Sequence, residues 1–121
     1  MHTVGEAEGF RSAAYDAGMT DAEINAIISY LAATPEAGDV IPGTGGCRKL
    51  RWARPGGGKR GGYRVVTFFT GPDIPVWLIT AFAKNERANL TQAERNALAG
   101  LTKGIAEAYR ARVVSAKRAG R

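Results

Sequence analysis

The residues best suited to chemistry in this sequence are cations at strand-like spacing. Lys49 and Arg51 stand two residues apart and alternate with Leu50 and Trp52. In an extended strand that spacing puts the two cations on one face and the two apolar side chains on the other. Arg64 stands one residue into the β-branched and aromatic run 63–69, and Lys84 follows the run 75–83, on the same face as Phe82. Neighbouring strands lie about 4.8 Å apart, so cations on three of them can converge on one phosphate. Phe82 or Tyr63 would offer a ring on which an exposed base stacks. Fixed guanidinium and ammonium groups of this kind stabilise a transition state that gains negative charge.

Other chemistries lack their residues. The one histidine, His2, follows the initiator methionine and reads as a disordered terminal residue. The one cysteine, Cys47, has no histidine at hand to act as its base and reads as a small, semi-buried filler. One Cys and one His make neither a Ser-His-Asp or Cys-His arrangement nor a zinc site. Gly56-Gly57-Gly58-Lys59-Arg60 resembles a phosphate-binding loop but fails its pattern. Arg60 stands where Ser or Thr should hold Mg²⁺, and Ala53 where the first glycine belongs. This stretch also joins two strands, so it is expected to be a mobile hairpin loop with Lys59 and Arg60 near its tip.

The charge distribution supports a cationic site. Residues 1–47 hold one basic residue, Arg11, against seven acids, whereas residues 48–121 hold sixteen basic residues against four acids. From Arg48 to Arg64 there are seven basic residues and no acid. A field this one-sided attracts a polyanion. A solvated basic face with no specific task is the plainer alternative, and the absence of acids argues against it.

The elements that must position these cations follow from local patterns. Val4–Glu6 is a candidate short strand. Glu8–Ala17 reads as a short helix with Phe10, Ala13, Ala14 and Ala17 on one side, stopped by Gly18. Thr20 and Glu23 form a capping box, followed by the apolar helical stripe Ile24, Ile27, Ile28 and Leu31. Thr34-Pro35 ends that helix. Residues 36–46 read as a turn-rich connector. Three strands are expected next, at 48–53, 63–69 and 75–83, the last entered through the turn Gly71-Pro72-Asp73. Short connections make an antiparallel meander the simplest topology. Thr91 and Glu94 form a second capping box, followed by Leu98, Leu101, Ile105 and Tyr109 on a last helix that Gly100 and Gly104 weaken. The expected fold is α+β, with N-terminal helices and a C-terminal helix packed on one face of a small, curved antiparallel sheet.

The chain's 121 residues suit one domain, 1–121, with the basic stretch 110–121 expected to fray. No apolar run approaches the length that crosses a bilayer, and residues 1–9 have two glutamates and no basic region of the signal-peptide kind. With a lone cysteine, these features point to the cytoplasm and to no membrane partner.

Gly38 through Trp52, with its run Gly38-Asp39-Val40-Ile41-Pro42-Gly43-Thr44-Gly45-Gly46 and then Arg48-Lys49-Leu50-Arg51, resembles the RelE/HigB toxins of bacterial type II toxin–antitoxin systems. The resemblance continues through Gly58-Lys59-Arg60-Gly61-Gly62-Tyr63-Arg64-Val65 and Ala83-Lys84-Asn85-Glu86, and is closest over residues 34–98. It implies an mRNA interferase that cuts messenger RNA in the ribosomal A site, without metal or organic cofactor. The partners it implies are mRNA, rRNA and a cognate antitoxin, often a helix-turn-helix protein, with operator DNA reached only through the antitoxin. Matched motif to motif, the family's cationic pair falls on Lys49 and Arg51, its strand arginine on Arg64 and its last-strand lysine on Lys84. The reaction implied is attack of a 2′-OH on the adjacent phosphate, giving a 2′,3′-cyclic phosphate and a 5′-OH. Arg64 would be the main transition-state clamp, with Lys49, Arg51 and Lys84 binding phosphate and one lysine of lowered pKa acting as base. Lys59, Arg60, Tyr63, Phe82 and Asn85 would contact RNA. Two positions depart from the family: Asn85 replaces an arginine, and Thr91 stands near the place of a tyrosine general base. Cys47 replaces a usual leucine. The alternatives are a ParE-like gyrase poison and a non-catalytic or degenerate nucleic-acid-binding module on the same fold.

Overall fold

The computed structural model describes residues 2–53, 62–84 and 89–119, with side chains as far as 112. The order of elements is β1 (Val4–Glu6), α1 (Phe10–Asp16), α2 (Asp21–Ala33), β2 (Asp39–Val40), β3 (Cys47–Trp52), β4 (Tyr63–Phe68), β5 (Val76–Ala83) and α3 (Gln92–Ala119). The strands form one sheet in the order β1-β5-β4-β3-β2. The α+β architecture matches the expectation. The meander β3-β4-β5 is antiparallel, and β1 adds to its edge parallel to β5. β2 lies inside the expected connector and pairs Asp39 with Lys49 and Val40 with Arg48 at the opposite edge.

Both capping boxes are present. The Glu23 amide donates to Thr20 Oγ1 at 3.2 Å and the Thr20 amide donates to Glu23 Oε1 at 3.0 Å. At the start of α3 the Glu94 amide donates to Thr91 Oγ1 at 3.1 Å and the Thr91 amide to Glu94 Oε1 at 2.9 Å. Each box satisfies amides that a helix start leaves without intrahelical partners. The backbone of 110–119, expected to fray, continues α3.

The helices cover both faces of the sheet, not one. Phe10, Ala14, Ile24, Ile27 and Leu31 of α1 and α2 pack with Leu50, Tyr63, Val65, Val76 and Leu78 on the first face. On the second face Leu98 and Ile105 of α3 pack with Cys47, Val66, Phe68, Ile79 and Phe82. The physical reason lies in β4, whose six residues are all buried. A central strand covered on both sides must carry apolar groups on both, as Val65 and Val66 do.

The turn before β3 fastens α3 to this second face. Thr102 Oγ1 donates to the Thr44 carbonyl at 2.8 Å, and Thr44 Oγ1 donates to the Ile41 carbonyl at 2.6 Å. Gly45 has φ +76°, and a Cβ there would lie 2.6 Å from Thr102 Oγ1. The glycine-rich run that carries the family resemblance therefore has a structural task in docking the last helix.

His2 is ordered, against expectation. Its Nε2 is 2.7 Å from the Ile74 carbonyl, its amide donates to the Ala32 carbonyl, and its ring meets Phe69 edge-on at 4.9 Å. Pairing of β1 with β5 carries the preceding residues into the body of the fold. No helix among the described residues is long and apolar enough to cross a membrane.

Candidate active site

The alternation of β3 continues across its neighbours. Arg51 is registered opposite Arg64, and Arg64 opposite Phe82; one row along, Lys49 is opposite Val66, which is opposite Thr80. These rows belong to the second face of the sheet. Lys84 extends the pairing, its amide donating to the Gly62 carbonyl at 3.2 Å, and it keeps the parity of Phe82. Lys49, Arg51, Arg64 and Lys84 therefore come from three adjacent strands onto one face, at the end where β3 finishes and β4 begins.

They point away from α1 and α2, as expected, but share their face with α3. Arg51 and Lys84 are exposed, Lys49 is half-buried, and Arg64 is only 7% exposed. Lys49 is held by a residue that the sequence reading missed: its Nζ donates to Asn89 Oδ1 at 3.2 Å. Asn89 precedes Leu90, which is buried in the core beneath α3, and Thr91, which caps that helix. Nothing local signals that contact, because it joins residues forty positions apart.

Arg64 decides the character of the site. Among the described residues both ion pairs use Arg11, with Glu6 at 2.8 Å and Asp21 at 3.3 Å, and neither involves the cationic face. The acidic N-terminal half thus ties up its own one cation, and although Asp39 stands opposite Lys49 in β2, no ion pair among the described residues reaches the cationic face. Burial lowers the pKa of Arg64, and the charge of Arg51 lowers it further. The guanidinium stays protonated all the same. Like charges directly opposite each other in a sheet are destabilising, so this arrangement favours an anion that would sit between them.

Not every expected residue joins this face. Tyr63 precedes Arg64 in the strand and so lies on the opposite face, 1% exposed, with its hydroxyl donating to the Gly18 carbonyl at 3.1 Å. Its ring packs against α1 and α2 and is not placed to stack a base on the cationic face. Phe82 is on the right face, beside Arg64, but only 4% exposed. It forms the floor of the site more than a free platform. Lys59, Arg60 and Asn85 lie outside the described residues. Thr91, near the family's tyrosine position, is engaged as the cap of α3.

Over residues 5–121 the sequence matches the family described as the RelE toxin of the RelE / RelB toxin–antitoxin system. The chain belongs to the RelE toxin family. It is therefore a toxin of a toxin–antitoxin system, and an antitoxin is its implied partner. RelE toxins are generally endoribonucleases that inhibit translation.

Cys47 is more deeply placed in this RelE-family toxin than a semi-buried filler. It is fully buried, and burial pushes its thiol up to about 11, although the hydrogen bond with Thr44 acts the other way. A raised folded-state pKa means that the neutral thiol supports the fold fully below its ordinary value near 9 and loses that support as pH rises towards 11. We expect the melting temperature to begin falling above pH 9 for this reason, with that component absent from Cys47→Val. At pH 8 iodoacetamide should label native Cys47 about 100-fold more slowly than the denatured chain, from the thiolate fraction alone. Equal labelling rates would show that the thiol is not buried.

Proposed function

We propose that this toxin is a ribosome-dependent mRNA endoribonuclease that needs no metal and is neutralised by its cognate antitoxin. The observation that carries the reading is Arg64, a buried guanidinium with no described carboxylate, faced across the strand by Arg51. Such a group is costly to the fold and useful to a reaction that develops negative charge.

In this reading the message lies across the open cationic face, with its scissile phosphate above Arg64. The 2′-OH attacks the phosphorus and the bond to the 5′ oxygen of the next nucleotide breaks. The products are a 2′,3′-cyclic phosphate and a 5′-OH. Arg64 stabilises the pentacoordinate phosphorus; Lys49, Arg51 and Lys84 hold the phosphate oxygens. Asn85 contacts RNA in place of the family's arginine, and Lys59 and Arg60 bind the RNA backbone. With Thr91 committed to capping, one of the two lysines, in its neutral form, takes the 2′-OH proton, and the departing 5′ oxygen takes a proton from water. The ribosome presents the codon in its A site, so rRNA is also a partner. A helix-turn-helix antitoxin occludes the face and alone contacts operator DNA, all within the cytoplasm.

Expression from an inducible promoter, followed by primer extension, tests this reading. Cuts in phase with codons should appear on a translated message and disappear when its start codon is removed. Growth arrest without cuts overturns the nuclease reading. Equal cutting of the untranslated message overturns ribosome dependence.

A further inference from the structure

The two lysines of the cationic face stand in different surroundings. Lys49 is registered opposite Asp39 of β2, yet forms no ion pair with it among the described residues. Its Nζ donates instead to Asn89 Oδ1 at 3.2 Å. Lys84 is exposed, and its amine has no hydrogen-bond partner among the described residues.

The residues after Asn89 hold it in place. Leu90 is 8% exposed and packs with Phe82 and Leu98. Thr91 then closes the capping box with Glu94, and the Arg95 amide donates to the Thr91 carbonyl at 3.0 Å. Asn89 is thus anchored to the start of α3, whereas Lys49 stands within β3. A lysine stem is flexible, and an ammonium without a partner spreads over many positions. A contact between two fixed elements confines it to one.

The chemical type of the partner matters as much as its place. A carboxylate would hold the ammonium and also cancel its charge. An amide oxygen holds it and leaves the positive charge for a phosphate. Of the three N–H groups of the ammonium, Asn89 takes one and leaves two for phosphate oxygens.

We propose that Asn89 is a positioning residue that fixes Lys49 as a phosphate clamp and so leaves Lys84 as the acceptor of the 2′-OH proton. This rests on the reading that the toxin cuts RNA, and it divides that reaction between the two lysines. A proton acceptor must turn a nitrogen lone pair onto the 2′-OH, and the Lys84 amine has no described partner to turn away from. Neutral Lys84 takes the proton as the 2′ oxygen bonds to phosphorus. The bond to the 5′ oxygen breaks, and that oxygen takes a proton from water. Lys84 then returns its proton to water.

The test uses the full chain on programmed ribosomes. One measurement is cleavage kinetics; the other is binding to a message whose scissile nucleotide is 2′-deoxy and cannot be cut. Asn89→Ala should weaken that binding and raise KM by about tenfold, with kcat and the melting temperature little changed. In a Lys49→Ala background the same change should cost less than about twofold, because Asn89 acts only through Lys49. Losses that multiply in the double variant, or a lowered melting temperature with binding unaltered, overturn the proposal. Lys84→Arg keeps its charge but cannot accept a proton, and should lose about 100-fold or more in kcat with a smaller effect on binding. Lys49→Arg can still donate to Asn89 and to phosphate, and should lose far less in kcat. The opposite order of these two arginine variants overturns the assignment of Lys84. Wild-type protein that cuts, beside Asn89→Ala that binds and cuts as well, overturns the proposal and leaves the cleavage reading intact. Wild-type protein that binds the 2′-deoxy message but cuts no message overturns the cleavage reading and the part given to Lys84 together, while binding alone still reports the coupling of Asn89 to Lys49.

Discussion

Arg64→Ala is expected to slow ribosome-dependent mRNA cleavage by about 10²–10³-fold, the usual cost of losing one fixed transition-state donor. The same change should leave the melting temperature level or raise it, because it removes a guanidinium that is 7% exposed, faces Arg51 and has no described carboxylate. A side chain that served only the fold would show the reverse, with stability lost and chemistry spared. Arg64→Met keeps more of the buried volume, and should be the more stable of the two variants and equally slow. Arg64→Lys keeps the charge but loses the planar fork, and should recover part of the rate. Single-turnover cleavage on ribosomes carrying a defined codon, beside thermal melts, measures both quantities. A wild-type rate in Arg64→Ala would remove this residue from the mechanism.

Gly62→Ala should destabilise the toxin by about 3 kcal/mol, lowering the melting temperature by about 10 °C. Gly62 has φ +89°, and a Cβ there would lie 2.7 Å from the Trp52 carbonyl oxygen and 3.4 Å from Ala53 Cα. Both obstacles are backbone, so no side chain can swing aside. The position also bears on the site: the Gly62 carbonyl accepts the Lys84 amide, and Arg64 is two residues on. Cleavage should therefore fall even at temperatures where the variant is folded. Gly43→Ala is the control, with φ +78° and nothing within 4 Å of the added Cβ. It isolates the backbone cost, about 1 kcal/mol. Equal melting temperatures for the two variants would show that the close approach to Trp52 carries no cost.

The sequence by itself determined the parts governed by local physics. A capping box acts within four residues, so Thr20/Glu23 and Thr91/Glu94 marked their helices correctly. Strand alternation has a period of two, so Lys49 and Arg51 had to share a face. The same rule separates Tyr63 from Arg64, because consecutive strand residues point to opposite sides; that signal was present in the sequence, and a shared RNA face for the two disregarded it. The unbroken burial of β4 was also foreshadowed by Val65-Val66, which marks a strand covered on both sides.

Tertiary structure alone decided what covers each face. An amphipathic stripe says that a helix will dock, but not where, so the sequence could not place α3 on the cationic side. That placement packs Leu98 with Phe82 and brings Asn89 to Lys49, while the strand pairing sets Arg64, 7% exposed, beside Arg51. The site therefore changes from four cations on an open strand face to three accessible cations around one buried guanidinium. Spacing fixed which cations could meet; the long-range pairing of β3, β4 and β5 set Arg64 between Arg51 and Phe82, and that cannot be read from neighbours in sequence.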